Sequence, residues 1–206
     1  MITFDSVPPE EMEAMCTPMH RVLSPTTTTP QNKPTTTGSD EKETPRVGAH
    51  ETSSVSTGAL YLGSIAAMHD SDLLHAHDIT HLVQVLEVPW LPQDEATAGF
   101  KCYRIDVEDR SSATLRPHLA GACDYIRTAL DQGESVLVHC QHGVSRSASI
   151  VLAYLIRDRV MTYDAAFDLV HARRRCIRPN SGFVRALREW EIECKTNQIP
   201  GGAPPR

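Results

Sequence analysis

The chain has 206 residues, of which 40% are hydrophobic, and a formal net charge of −6. This length accommodates one well-packed domain and a tail. The acidic balance argues against a general nucleic-acid-binding protein, which usually presents a basic surface. No stretch approaches the roughly 20 apolar residues that a membrane span needs. Residues 1–5 also lack the basic start and apolar run of a signal peptide.

Six cysteines are scattered along the chain without a CxxC pair or the spacing of a zinc site. This distribution predicts free thiols in a reducing compartment. We therefore expect a cytoplasmic and/or nuclear protein that binds neither nucleic acid nor membrane.

Residues 1–55 contain threonine runs broken by prolines and show no apolar periodicity. Such a segment cannot bury enough surface to offset its ordering entropy, so we predict a disordered tail. Four Ser/Thr-Pro dipeptides lie in it: Thr17-Pro18, Ser24-Pro25, Thr29-Pro30 and Thr44-Pro45. The favoured interpretation is chance occurrence in a Pro-rich linker. Phosphorylation of the tail by a proline-directed kinase is the alternative.

Strand and helix patterns alternate after residue 56. Strands are predicted at 59–63, 80–86, 100–107 and 135–139, where apolar residues alternate or run continuously. Helices are predicted at 65–77, 114–132 and 148–156, followed by one around Phe167 and one around Leu187. This order predicts an α/β domain over 56–196, with a central mixed sheet flanked by helices, and a flexible C-terminal tail over 197–206.

One nine-residue run, HCQHGVSRS at 139–147, lies between a predicted buried strand and a predicted buried helix. A tight loop in this position can turn its N–H groups inward as an anion nest, and the helix N-terminus adds partial positive charge. Gly143 lets the backbone approach closely, and the Arg146 guanidinium fits two phosphate oxygens. These features favour the thiolate of Cys140, poised for in-line attack on phosphorus.

Each residue alone has a simpler interpretation. A cysteine in an apolar strand is most often an inert core residue, and an arginine near a helix start is usually solvated. The whole run in one loop favours the chemical interpretation.

The run resembles the signature loop His-Cys-x-x-Gly-x-Ser-Arg-Ser of the dual-specificity phosphatases, a branch of the protein tyrosine phosphatase superfamily. The resemblance extends over 58–190 and includes ALYLGS at 59–64, Tyr154-Leu155, and Arg173-Arg174-Arg175 followed by Pro179-Asn180. Residues 1–55 are too short and polar for a rhodanese-like docking domain. The chain therefore resembles the small, atypical members, and a MAP-kinase substrate is not implied.

The resemblance implies a phosphatase-like fold and hydrolysis of phosphotyrosine and phosphoserine/threonine in phosphoproteins through a phosphocysteine intermediate, without metal or cofactor. It implies Cys140 as nucleophile, Arg146 as phosphate clamp, Ser147 as a hydroxyl that helps the thiolate leave, and His139 as a support of the loop. The substrate phosphate would bind the loop residues Gln141, His142, Gly143, Val144, Ser145 and Arg146.

The family also uses a general acid on a loop before the signature, because an alkoxide is a poor leaving group. The candidates are Asp106, Glu108 and Asp109, directly after a predicted strand. The family places its aspartate at the end of a similar Val-Glu-Asp run, which matches Asp109. Asp106 is the second choice, and Glu108 is interpreted as a solvated loop residue.

Arg174 matches a position where some relatives hold an arginine for a second phosphate. A solvated basic helix end is an equally good interpretation. Two other functions stay open. One is a catalytically weak phosphopeptide-binding protein, although the retained Cys140, Arg146 and Asp109 argue against it. The other is a phosphatase of a phosphoinositide, a glucan or an RNA 5′ end, and the loop lacks the lysines typical of lipid-acting relatives.

Overall fold

The computed structural model of the protein describes residues 8–28, 55–87 and 99–198. The described strands are β1 (Met19–Leu23), β2 (Thr27–Thr28), β3 (Val55–Ser56), β4 (Leu60–Ser64), β5 (Ile79–Leu86), β6 (Lys101–Asp106) and β7 (Ser135–Cys140). The described helices are α1 (Pro9–Cys16), α2 (Ile65–Met68), α3 (Ser71–Ala76), α4 (Arg116–Asp131), α5 (Arg146–Asp158), α6 (Tyr163–Arg173) and α7 (Ser181–Gln198). None of these helices is long and apolar enough to cross a membrane.

The central sheet has the strand order β1-β4-β7-β5-β6. β4, β7, β5 and β6 run parallel, and β1 pairs with β4 in the antiparallel direction. The predicted mixed sheet flanked by helices is therefore confirmed. Every residue of β7 is buried, as expected for the middle strand of a sheet covered on both faces.

Helices cover both faces of the sheet. One face packs Tyr61, Leu82 and Leu137 against α2 and α3. The other face packs Leu62, Val83 and further apolar residues against α4, α5 and α7. All residues of α5 from position 146 to 156 are buried. A helix fixed on every side is a rigid support for the loop that precedes it.

Residues 8–28 correct the expectation of a disordered segment over 1–55, because they form α1 and β1. β1 buries Met19 and Val22, and a register irregularity lies between Arg21 and Leu23. This irregularity disrupts the alternation by which a strand is recognised, so the pattern resembles a linker. The rest of the expected tail, 1–7 and 29–54, lies outside the described residues.

Two Ser/Thr-Pro sites, Thr29-Pro30 and Thr44-Pro45, also lie outside the described residues. Of the others, Thr17 follows α1 and donates its hydroxyl to the Glu13 carbonyl, and Ser24 is exposed after β1. Phosphorylation of these sites stays a prediction.

Other boundaries differ by small amounts. The helix predicted at 65–77 is divided into α2 and α3, because Asp70 accepts a hydrogen bond from the Leu73 amide at 2.9 Å and begins a new helix. The last helix, α7, extends to residue 198, two residues beyond the predicted domain end at 196.

Candidate active site

The nine-residue run forms a loop at the carboxyl edge of the parallel strands. β7 ends at Cys140 and α5 begins at Arg146, so residues 141–145 connect the central strand to the buried helix. The Cys140 sulfur is almost buried and accepts hydrogen bonds at 3.2 Å from the Gly143 amide and from the Ser147 hydroxyl. Two hydrogen-bond donors therefore converge on this one sulfur atom.

The carbonyl oxygens of residues 141–144 each accept a hydrogen bond from a donor outside the loop. Ile65 N–H donates to the carbonyl of residue 141, the Arg174 guanidinium donates to those of 142 and 143, and Arg178 N–H donates to that of 144. In a trans peptide the N–H points away from the C=O. The amides of residues 142–145 therefore point toward the centre of the loop, which is the orientation that an anion nest requires.

Gly143 is required at its position for two reasons. Its φ is +69°, a left-handed conformation that other residues rarely adopt. A Cβ there would also lie 2.6 Å from the Gly63 carbonyl oxygen. The close approach of the two backbones, from β4 and the loop, thus depends on the missing side chain.

Arg146 lies in the first turn of α5 with only 6% of its surface exposed. One terminal nitrogen donates to the Val107 carbonyl at 3.4 Å, and Nε lies 3.8 Å from an Asp109 carboxylate oxygen. Within the described residues Nε has no hydrogen-bond partner. A buried guanidinium with an unused donor beside an anion nest is prepared for an anionic ligand.

Asp109 lies beside this guanidinium and is held by two donors. Its Oδ1 accepts from the Ser145 hydroxyl at 2.6 Å and from the Asn180 side-chain amide at 2.9 Å. About a third of its side chain is exposed, at 35%. The carboxyl group is thus fixed at the site and still open to a ligand.

The other acid candidates lie elsewhere. Asp106 ends β6, and Glu108 forms an ion pair with Arg110. Both line a separate cleft with Thr114, whereas Asp109 shares a cavity with Cys140. The structure therefore brings only Asp109 of the three together with the loop.

Asn180 lies at the site although the sequence analysis assigned it no role there. Its side-chain oxygen accepts from the Phe183 amide at 3.0 Å and caps α7, while its side-chain nitrogen holds Asp109. An asparagine directly before a helix is a typical cap, but a cap residue uses only its side-chain oxygen for that purpose. The unused amide group was the signal for a second contact.

Arg174 does not form a second anion site, which corrects that expectation. The residue is completely buried. Its guanidinium donates to the carbonyl oxygens of His142 and Gly143 at 3.0 and 2.8 Å and to that of Thr17 at 2.9 Å. Burial lowers its pKa. Arg174 therefore supports the loop from behind and leaves no surface for a second phosphate.

His139 lies behind the nucleophile and is completely buried. Burial lowers the pKa of its imidazole to about 4, with a smaller contribution in the same direction from His69, while the Cys140 backbone opposes the shift. The ring is therefore neutral near pH 7. Neither ring nitrogen has a hydrogen-bond partner within the described residues, and the supporting role of His139 stays a prediction.

This shift predicts a pH dependence of stability. Between about pH 6.5 and pH 4 the unfolded chain binds a proton at His139 that the folded protein does not, so the free energy of unfolding falls as pH is lowered. The loss from this residue should be on the order of 3 kcal/mol. His139→Asn lacks the titrating group, so its unfolding free energy should fall less over this range. Urea denaturation from pH 7 to pH 4 measures both curves. Parallel curves of unfolding free energy against pH would contradict the prediction. His20, whose pKa is also lowered by burial, is present in both proteins and contributes equally to both curves.

A cavity of about 320 Å3 opens above the loop. Asp109, Cys140, Arg146 and Asn180 line it, and Glu11 and Met15 of α1 form part of its wall. The volume is that of a small-ligand site.

Comparisons with known proteins identify the family of this chain. A sequence model described as the catalytic domain of dual specificity phosphatases matches residues 60–193. The chain belongs to the dual-specificity phosphatase family. Dual specificity protein phosphatase MPK-4 of Drosophila melanogaster is 39% identical over 143 residues, which cover 68% of this chain and 36% of that protein. Dual specificity protein phosphatase 1B of Arabidopsis thaliana is 36% identical over 152 residues, which cover 73% of this chain and 87% of that protein.

A solved dual-specificity phosphatase structure has the same fold. The mouse putative dual specificity phosphatase complexed with zinc tungstate superposes with a TM-score of 0.62 and 33% identity, over 67% of this chain and 85% of that chain. The match of the family model begins at residue 60, so α1 and β1 lie outside it.

Proposed function

We propose that this dual-specificity phosphatase hydrolyses phosphotyrosine and phosphoserine/threonine in proteins through a phosphocysteine intermediate on Cys140. One observation carries the proposal: the Cys140 sulfur accepts two hydrogen bonds at 3.2 Å at the centre of a loop whose amides point inward. A tetrahedral dianion fits such a nest. The mouse relative was solved with tungstate, which is also a tetrahedral oxyanion.

In the first step the Cys140 thiolate attacks phosphorus. The S–P bond forms while the bond to the substrate oxygen breaks, and the electron pair goes to that oxygen. Protonated Asp109 donates its proton to the leaving oxygen. The Arg146 guanidinium and the inward amides stabilise the charge of the transferring phosphoryl group.

In the second step water attacks the phosphocysteine. The S–P bond breaks, Asp109 accepts the proton of the water, and the thiolate leaves with the Ser147 hydroxyl as hydrogen-bond donor. The 3.2 Å contact between the Ser147 oxygen and the Cys140 sulfur supports this role. Atoms balance: one water is consumed, and one phosphate and one free hydroxyl are released.

The two alternative functions differ from this proposal in whether phosphate is released and from which substrate. A phosphopeptide-binding protein would hold the phosphorylated side chain without releasing phosphate, and a phosphatase of phosphoinositide, glucan or RNA 5′ end would release it from a non-protein substrate. The nucleophile, the guanidinium and the carboxyl group all lie around one cavity, which favours turnover over binding.

The test is a rapid acid quench of the wild-type protein mixed with radiolabelled phosphotyrosyl and phosphoseryl peptides. We expect phosphate release from both and a transient label on the peptide that contains Cys140. Label without turnover, or binding alone, would support the binding protein. Release only from a non-protein substrate tested in parallel would overturn the protein-phosphatase proposal.

A further inference from the structure

The helix α1 lies at the edge of the active-site cavity, outside the residues that the family model matches. Its position is fixed from two sides. The Thr17 carbonyl accepts from the buried Arg174 guanidinium at 2.9 Å, and the Pro18 carbonyl accepts from the Ser64 amide at 2.9 Å. Ala14 is buried against the domain. The side chains of α1 that face the cavity are therefore part of the site.

Glu11 of α1 forms an ion pair with Arg178 at the rim. Its carboxylate oxygen lies 3.2 Å from a terminal nitrogen of Arg178, and both residues line the cavity that contains Cys140. The Arg178 side chain is 77% exposed, whereas that of Glu11 is 27% exposed. The Arg178 backbone is itself tied to the loop, since its N–H donates to the Val144 carbonyl at 2.8 Å.

A neighbouring pair offers a comparison. Glu10 and Arg175 lie 4.0 Å apart, with side chains 79% and 52% exposed, and neither lines the cavity. Glu10 and Glu11 thus carry the same charge on the same helix, but only Glu11 lines the cavity.

A substrate residue next to the phosphorylated side chain would lie near this rim. An acidic group there would be attracted by Arg178, which is the exposed cation of the cavity wall, and repelled by Glu11. Since Glu11 already pairs with that cation, an acidic substrate residue must displace a carboxylate that is part of the protein. A neutral residue has no such cost.

We propose that Glu11 is a specificity-determining residue that disfavours substrates with an acidic residue beside the phosphorylated one, by occupying Arg178 at the cavity rim. The proposal rests on the proposed function, because it assumes a phosphorylated peptide in the cavity. It concerns the choice among peptides and not the chemical step.

The experiment compares two peptides that contain a non-hydrolysable phosphotyrosine analogue, one with neutral flanking residues and one with aspartate beside it. Dissociation constants are measured for the full chain, Glu11→Gln and the matched control Glu10→Gln. We expect Glu11→Gln to lower the dissociation constant of the acidic peptide about two- to fivefold relative to that of the neutral peptide, which is the size of effect typical of an exposed ion pair. This gain in affinity should disappear in high salt. The double variant Glu11→Gln/Arg178→Gln should lose it as well.

An equal change in Glu10→Gln would assign the effect to net charge and overturn the proposal, as would an unchanged ratio in Glu11→Gln. Because binding is measured, this test is separate from that of the proposed function. If the protein binds the peptides but hydrolyses none, the phosphatase proposal is refuted, and the ratio of the two dissociation constants still tests the role of Glu11. A protein that binds neither peptide refutes both.

Discussion

Replacing Cys140 with serine is expected to abolish phosphate release, with a loss of kcat of more than about a thousandfold. The serine side chain has nearly the same shape as that of cysteine and can still accept a hydrogen bond from the Gly143 amide. Its hydroxyl, however, is not ionised at neutral pH. The anion nest and Arg146 are unchanged, so the variant should still bind phosphopeptides. Loss of turnover with retained binding identifies the sulfur as the attacking atom.

Hydrolysis of a small aryl phosphate without added metal measures this loss, and circular dichroism checks that the variant is folded. The matched control is Cys176→Ser, because Cys176 is also a buried free cysteine at the same cavity. We expect that control to keep its activity within a few fold. Activity of Cys140→Ser close to the wild type would contradict the cysteine mechanism.

Replacing Asp109 with asparagine is expected to reduce hydrolysis by an amount that depends on the leaving group. The side-chain oxygen of asparagine can still accept from Ser145 and Asn180, so the geometry is kept while the acidic proton is lost. For a phosphoserine peptide, whose alkoxide is a poor leaving group, we expect a loss of about 100- to 10,000-fold. For nitrophenyl phosphate the loss should be much smaller, because nitrophenolate leaves without protonation.

Steady-state rates on both substrates measure this difference. Asp106→Asn is the matched control, since it removes the same charge from the other cleft and should affect both substrates little. Equal losses on the two substrates would indicate that Asp109 only supports the loop. A larger loss in Asp106→Asn would move the general acid to that residue.

The site residues that are adjacent in the chain could be predicted from the sequence. Those that only the fold brings together could not. Residues 139–147 are adjacent in the chain, so their chemistry is visible in one run. Asp109 was chosen among three nearby acids by resemblance, and only the fold brings it to Ser145 and Asn180. The contacts that orient the loop carbonyls come from Ile65, Arg174 and Arg178, and no local pattern reveals such long-range hydrogen bonds.

The strands of the sheet also differ in how well the sequence predicts them. Strands with strong apolar patterns, such as β5 and β7, were found within one residue of their observed bounds. β1 was missed because five residues with an irregular register between prolines carry no clear period. An edge strand is specified mainly by the partner strand that it covers, here β4, and not by its own sequence.

The single guanidinium of Arg174 joins the loop carbonyls to the Thr17 carbonyl and to His20, which also accepts from it at 2.9 Å. We therefore expect occupancy of the loop and docking of the N-terminal segment to be thermodynamically coupled, and such coupling acts equally in both directions. An oxyanion that stabilises the loop at 141–145 should slow amide hydrogen exchange in residues 17–22, although these residues lie more than a hundred positions earlier in the chain. The N-terminal segment is in this sense a reporter of the state of the active site.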